Sequence, residues 1–362
     1  MAKLANSLSA GNRLDDVAGI TYKVAGEIRS NPECQPIDLE SVPIELPFDL
    51  LPLDKYPSLR AGRFHIQTSR GCPHRCGYCY NTLFNKCGWR GKSAERVLDE
   101  IEYILEKYPN VKTIDPIDDN FFADRKRAED ICRGLIQRKI NVAWRANCRF
   151  DYLSNYSRDF INLMEKSGCT ELDFGGETGS ERLLTLIHKE ITPTQMVQSV
   201  ENLKNWAPSI KPYVSWMSGL PTETDEDLKT TFDLMDRMSE ANPNTQHFGI
   251  FVYTPFPSPL VECLGSQLKT PQSLEGWGDI DVFHYKASWH PKKYVEKLHT
   301  ISAVTRYAFY PDERIRELSL PYKLGYGTLN RMAKFRWKKK YFGLPLELKL
   351  TDALARKTRG WL

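Results

Sequence analysis

Between about residues 62 and 254 the chain alternates short β-rich runs with longer segments of helical period. The runs are 64–68, 111–117, 142–146, 170–174, 213–217 and 247–253. Within 93–108 the apolar residues Val97, Leu98, Ile101, Ile104, Leu105 and Tyr108 recur at three and four, one face of an amphipathic helix. Thr192-Pro193-Thr194-Gln195 reads as a helix start, with a Thr cap, Pro at the first helical position and Gln placed for a capping box. Segments 157–166 and 225–241 are further helices, the first stopped by Gly168. Alternation of this kind implies a parallel sheet with right-handed crossovers, because parallel strands need a long connection. Six units are fewer than the eight of a closed barrel. The pattern predicts an α/β fold, and both an open partial barrel and a doubly wound sheet fit it.

The flanks differ. Segments 15–22 and 24–28 suggest a small hairpin, and the proline-dotted stretch from Pro36 to Pro57 reads as an extended linker. After Pro255 the rhythm fades: 258–288 is loop-rich, 290–310 looks helical, and the last 32 residues are strongly basic. The expected organisation is an N-terminal extension over 1–60, a core over 61–260 and a helical, basic C-terminal extension over 261–362. Composition (41% hydrophobic, 27% charged) excludes disorder, collagen and coiled coil. No apolar run approaches the ~18–20 residues that span a bilayer, and the first residues lack the apolar core of a secretory signal. Nine cysteines, odd in number and unevenly spaced, argue against a secreted disulfide scaffold and for reduced thiols in the cytoplasm.

Three of those cysteines are crowded. Gly71-Cys72-Pro73-His74-Arg75-Cys76-Gly77-Tyr78-Cys79 places them at C-x3-C-x2-C directly after the first run. Three thiolates on one loop can converge on a metal centre. A structural zinc would need a fourth ligand; Cys87 or His74 could be proposed, though neither has a zinc-finger spacing. A cubane iron–sulfur cluster with three protein ligands leaves one iron open to a small molecule. Three incidental buried cysteines fit poorly with a loop rich in Gly, Pro, His and Arg. Other candidates stand at run ends: Asp118-Asp119-Asn120 after the second, Gly175-Gly176-Glu177-Thr178-Gly179-Ser180 after the fourth, and Gly219-Leu220-Pro221-Thr222-Glu223-Thr224 after the fifth. Each reads equally as a turn before a helix, with Ser180 or Thr224 as cap. In parallel α/β barrels, however, ligands sit at the C-terminal strand ends, and all three would share the face of the cysteine loop.

With its C-x3-C-x-aromatic-C loop, Tyr78 filling the aromatic place, the sequence resembles the radical S-adenosylmethionine (SAM) superfamily. The resemblance implies a partial (β/α)6 TIM-type barrel and a [4Fe–4S] cluster held by Cys72, Cys76 and Cys79. It implies SAM chelated on the open iron, cleaved by one electron to a 5′-deoxyadenosyl radical that takes hydrogen from a small-molecule substrate. An electron donor such as flavodoxin or ferredoxin is implied as well. By the same resemblance, Asp118 or Asp119 meets the SAM amino group, although the usual Gly-Gly-Glu is absent there. Gly175, Gly176 and Glu177 form the ribose-contacting segment, and the backbone of Gly219 and Leu220 pairs with adenine. Lys189 matches a basic position of relatives, where a contact to the SAM carboxylate is the alternative to the solvated lysine expected here.

Leu14-Asp15-Asp16-Val17-Ala18-Gly19-Ile20-Thr21-Tyr22, the linker, Asp118-Asp119-Asn120-Phe121-Phe122, Phe174 to Ser180 and Gly219-Leu220-Pro221 together resemble the cobalamin-binding branch of that superfamily. In that branch a cobalamin domain precedes the radical core, and the chain is expected to begin at the end of that missing domain. The lower-ligand motif Asp-x-His-x-x-Gly occurs nowhere; His284 follows Asp281-Val282-Phe283 and is one residue out. Cobalamin binding by this chain alone is therefore not expected. The alternative to an active enzyme is a catalytically incomplete, truncated or split cluster protein.

The net charge of +4 is an average. Residues 331–362 hold ten Lys/Arg against Glu347 and Asp352, a net of +8, which leaves −4 on the remainder. Phe335, Trp337, Tyr341, Phe342 and Trp361 are interleaved with that charge. A solvated helix packing its aromatics on the core accounts for this. An anionic membrane surface is the further candidate partner, with peripheral localisation; nucleic acid is not expected. Cys87, Cys132, Cys148, Cys169 and Cys263 are expected to be core or incidental thiols. Asn147 and Arg149 end the third run, where they could line the site or form a salt bridge.

Overall fold

The structure is a computed structural model. It describes residues 2–45, 48–265, 268, 270–271, 273–278, 280, 285, 287–309 and 320–343. His284 and residues 344–362 lie outside the described residues. The chain divides into two compact units, Met1–Pro43 and Ile44–Leu362.

The first unit holds helix α1 (Ala2–Ser9) and an antiparallel hairpin of β1 (Thr21–Val24) and β2 (Glu27–Ser30). The expected hairpin sits further along than 15–22 and 24–28. Its turn is Ala25-Gly26, both at positive φ, the geometry a two-residue hairpin needs. Residues 14–17 form a turn instead of a strand because Asn31 Nδ2 donates to the carbonyls of Leu14 (2.6 Å) and Val17 (2.8 Å).

In the second unit, residues 44–60 run through two short 3-10 turns into α2 (Pro57–Arg60), which has proline at its start. The core then alternates as its period predicts. β3 (Arg63–Ile66) leads to a small antiparallel ribbon, β4 (Ser69–Gly71) with β5 (Trp89–Gly91), which embraces α3 (Asn81–Phe84). There follow α4 (Ala94–Lys107), β6 (Thr113–Pro116), α5 (Arg125–Gln137), β7 (Ala143–Cys148), α6 (Phe150–Ser154) and α7 (Arg158–Lys166). β8 (Cys169–Glu177), α8 (Glu181–Leu186), α9 (Pro193–Trp206), β9 (Lys211–Ser218), α10 (Asp225–Ala241) and β10 (Gln246–Val252) complete the core. Side chains cap the helices where the sequence offers them. Ser93, Ser157 and Ser180 accept the first free N–H groups of their helices, and Thr192 closes a capping box with Gln195.

All six core strands are parallel, in the order β3-β6-β7-β8-β9-β10. A doubly wound sheet reverses its strand order at a switch point; here each strand pairs with its successor in the winding. That sequential order decides between the two architectures: the core is a partial TIM-type barrel of six strands. Strand alternation sets the two faces. On β8, Leu172 and Phe174 are buried in the main core, while Glu171, Asp173, Gly175 and Glu177 lie on the opposite face.

Beyond the core lie α11 (Pro259–Leu264), α12 (Leu274–Gly278), α13 (Lys292–Ala308) and α14 (Leu320–Lys338). Helix α13 covers edge strand β10, whose Ile250 N–H donates to Thr305 Oγ1 (3.0 Å), answering an otherwise open edge. The basic helix α14 docks as the packing argument predicts. Trp337 is buried edge-on against Phe232 and Phe309, and its indole N–H donates to Asp236 (2.9 Å). Phe335 and Met332 face solvent. Among the described residues no helix is long and apolar enough to cross a membrane.

Candidate active site

The cysteine loop leaves β4 through Gly71, at φ +88, where any Cβ would lie 2.0 Å from the Gly88 carbonyl oxygen. Only glycine lets the two strands of the ribbon approach at this point. Cys76 is buried, and Cys72 and Cys79 are partly buried. Backbone bonds seat the loop: Gly77 N–H donates to the Ile187 carbonyl (2.7 Å), and Leu260 N–H to the Gly77 carbonyl (2.8 Å).

Whether this donor set suits a cluster is judged from the surroundings of the sulfurs. Among the described residues no three His, Cys, Asp or Glu side chains are grouped around a single metal-ion position. Two of the three thiols, however, face N–H donors. Asn120 Nδ2 lies 3.4 Å from Cys72 Sγ, and Arg149 Nη1 lies 3.7 Å from Cys76 Sγ. Such N–H···S contacts hold thiolate charge and tune iron–sulfur centres. Arg149 is fixed in turn by Asp151 (2.8 Å) and by the Lys189 carbonyl (2.9 Å). It therefore both lines the site and forms the strand-end salt bridge. The side chains considered as a fourth zinc ligand are engaged or apart: His74 Nε2 meets Tyr152 OH (2.5 Å), and Cys87 is a half-buried residue beyond α3.

The two carboxylates after β6 separate. Asp118, 1% exposed, accepts from Thr68 N–H (2.7 Å), Thr68 Oγ1 and Ser69 Oγ (2.6 Å). Both of its oxygens are thereby committed to the approach of the cysteine loop. Asp119 is exposed and accepts from Gly71 N–H (2.8 Å) with one oxygen; the other is 3.4 Å from Tyr80 OH.

At the end of β8 the strand is irregular between Gly175 and Glu177, and Glu177 takes φ +61. Its carboxylate accepts from Tyr78 OH (2.6 Å) and Lys189 Nζ (2.8 Å), and Lys189 also reaches Tyr78 OH (3.0 Å). Lys189 and Glu177 are each 7% exposed. The solvated lysine expected from the sequence is instead half of a buried ion pair. A Cβ at Gly175 would fall 2.2 Å from Glu177 Oε1 and 2.8 Å from Lys189 Nζ, so the glycine makes room for the pair. A Cβ at Gly176 would press on Val214 and Trp216 at 3.0 Å.

Gly219 and Leu220 follow β9, and Leu220 is fully buried. Glu223, buried at 7% exposure, accepts Gly219 N–H (3.0 Å), Leu220 N–H and Tyr294 OH (3.1 Å). Burial pushes its carboxyl up to about 7, a rise that those three donors restrain. The structure thus brings the cysteine loop, the Glu177 turn and the Gly219 turn to one end of the sheet, joined by an apolar cluster. Leu183, Ile187, Leu220, Tyr253 and Leu260 form it, with Tyr78 and Trp289 packed against them. Sequence reading left Asn120, Glu223, Trp289 and Tyr294 without roles.

Residues 66–235 match the Radical SAM superfamily model, so the chain contains a radical SAM domain. Over 256 residues it is 31% identical to an uncharacterized methyltransferase of Pyrococcus horikoshii, covering 70% of this chain and 53% of that protein. It is 28% identical to the anaerobic magnesium-protoporphyrin IX monomethyl ester cyclase of Rubrivivax gelatinosus, covering 74% of this chain and 48% of that one. The chain spans about half the length of these curated relatives. Among solved structures, the cobalamin-dependent SAM radical enzyme OxsB superposes with a TM-score of 0.66 at 17% identity, covering 99% of this chain and 58% of that one. The radical SAM methyltransferase TsrM of Kitasatospora setae gives 0.58 at 18% identity, covering 74% and 53%. At such identities the likeness is one of fold.

Proposed function

We propose that the chain is a radical SAM enzyme that holds a [4Fe–4S] cluster through Cys72, Cys76 and Cys79 and acts on a small-molecule substrate. The observation that carries this reading is the shared strand-end face, where N–H donors meet Cys72 and Cys76 beside half-buried Tyr78 and the buried Glu177–Lys189 pair. Bound there, the cluster would supply one electron to the sulfonium C–S bond of SAM, giving methionine and a 5′-deoxyadenosyl radical that abstracts substrate hydrogen.

The chain's own residues orient the cofactor. Asp118 is buried with both oxygens already accepting from Thr68 and Ser69, so the exposed Asp119 is the carboxylate placed to accept from the SAM ammonium. Glu177, held by Tyr78 and Lys189, keeps lone pairs for ribose hydroxyls, and Gly175 and Gly176 let a ligand approach the strand end. Both N–H groups of the Gly219–Leu220 turn go to Glu223. The Leu220 carbonyl accepts from His290 Nε2 and Glu223 N–H, whereas the Gly219 carbonyl accepts only Trp289 Nε1 among the described contacts. One lone pair on Gly219 O is therefore the acceptor for the adenine amine. The reading requires a reductant, an electron donor such as flavodoxin or ferredoxin.

Anaerobic reconstitution tests the reading: 5′-deoxyadenosine formed from SAM and dithionite above a no-protein control supports it. A reduced cluster that yields none identifies a catalytically incomplete cluster protein. Cobalamin is not retained by this chain alone, for want of Asp-x-His-x-x-Gly; stoichiometric hydroxocobalamin after desalting would refute that. Residues 331–362 meet an anionic membrane surface, supported by exposed Phe335 and Met332 amid basic residues. Failure to sediment with anionic liposomes at low salt would remove that partner.

A further inference from the structure

The C-terminal extension reaches back onto the turn after β9 through three side chains that the superfamily match, ending at residue 235, does not include. Trp289 Nε1 donates to the Gly219 carbonyl (2.9 Å), and His290 Nε2 donates to the Leu220 carbonyl (2.9 Å). Tyr294 OH donates to Glu223 Oε1 (3.1 Å), the same oxygen that accepts Gly219 N–H. Within six residues of chain, one donor meets each carbonyl of the dipeptide, and a third steadies the carboxylate that holds its N–H groups. The arrangement is buttressed by rings. Trp289 lies 5.9 Å from Tyr253 and 6.3 Å from His290, which lies 4.8 Å from Tyr294. Trp289 also packs on the apolar cluster that Tyr78 of the cysteine loop touches. Gly219 itself sits at φ +77, so its peptide groups can turn unless they are held.

We propose that Trp289, His290 and Tyr294 form a latch, positioning residues that fix the Gly219–Glu223 turn in the orientation that receives SAM. The proposal rests on the reading that this turn is part of the SAM site. It implies that the C-terminal extension, outside the residues matched by the superfamily model, sets cofactor affinity. Glu223 needs the latch in particular, because a buried carboxylate with fewer donors is costly, and losing Tyr294 OH loosens its hold on the two N–H groups.

The test uses the full chain with its cluster reconstituted, comparing Trp289→Phe, Tyr294→Phe and His290→Gln with the parent. Tyr294→Phe keeps the ring and deletes one donor; Trp289→Phe keeps an aromatic ring but loses the indole's second ring with the donor; the third keeps a donor on a different frame. Two readouts are taken: hydrogen exchange of the peptide spanning 216–224, and SAM affinity by equilibrium dialysis. Trp289→Phe and Tyr294→Phe are expected to speed exchange of the Gly219 and Leu220 amides severalfold. They should weaken SAM binding about fivefold, the scale of one lost hydrogen bond, while iron and sulfide content stay at the parent level in all three variants. Exchange and affinity both unchanged in the two donor-deleted variants would overturn the latch, as would faster exchange without loss of affinity. If the parent itself binds no SAM, the proposed function fails; unchanged exchange would then overturn the latch separately.

Discussion

Replacing Lys189 by Met tests the arrangement at the end of β8. Glu177 and Lys189 are both almost fully withdrawn from water and 2.8 Å apart. Removing the cation leaves a buried carboxylate with, among the described residues, only the Tyr78 hydroxyl as a charge-stabilising donor. Breaking a buried pair on one side costs about 3–5 kcal/mol, because the remaining charge keeps its desolvation penalty; an exposed pair would cost about 0–1 kcal/mol. The double variant Lys189→Met, Glu177→Gln removes the charge as well. It should recover most of the loss, giving a coupling of about 2 kcal/mol or more. Urea unfolding followed by circular dichroism, under anaerobic reducing conditions, gives the three differences from midpoint and slope. A Lys189→Met cost under about 1 kcal/mol, or strict additivity in the double variant, would refute the claim that the pair is held out of water.

Other perturbations address neighbouring parts of the site. Gly71→Ala forces a Cβ to within 2.0 Å of the Gly88 carbonyl at a left-handed φ, so the ribbon must open and iron retained after reconstitution should fall by more than half; parent-level iron would contradict this. Glu223→Gln should change the pH dependence of stability. With its carboxyl raised from 4.5 to about 7, the folded state binds the proton more tightly, so the Glu223 contribution to stability falls as pH rises from about 4.5 to 7. Relative to the parent, Glu223→Gln should therefore gain about 3 kcal/mol over that window, read from urea midpoints at several pH values; a flat difference would place the carboxylate in solvent. Cys76→Ala should abolish the cluster's visible absorption.

Much of the fold is legible because burial and period coincide. Each of the six β-rich runs overlaps a strand of the parallel sheet, and the caps at Ser180, Thr192 and Thr224 are local chemistry that tertiary structure does not override. Curvature was not legible from the period, since strand order, not strand content, separates a partial barrel from a doubly wound sheet. The N-terminal hairpin is displaced because one distant side chain, Asn31, ties down the stretch that alternation marks as its first strand. At the site, the candidate strand-end motifs gather at one end of the sheet, yet their division of labour is tertiary. Asp118 and Asp119 are adjacent in sequence, and only the approach of Thr68 and Ser69 buries one of them and engages both its oxygens. Lys189 reads as a helix-end solvent lysine until the φ of Glu177 and the missing Cβ of Gly175 bring the carboxylate to it. Trp289 and Tyr294 lie some seventy residues beyond the turn they hold; helical period marks the segment of Tyr294, but nothing local points it at that turn.

The central claim is that this arrangement cleaves SAM reductively. The most direct measurement is 5′-deoxyadenosine by liquid chromatography after the anaerobically reconstituted chain is mixed with SAM and dithionite, beside a Cys76→Ala control. The account predicts product that scales with cluster content and is absent in the control. A fully loaded, reducible cluster that produces no 5′-deoxyadenosine above the control would contradict it.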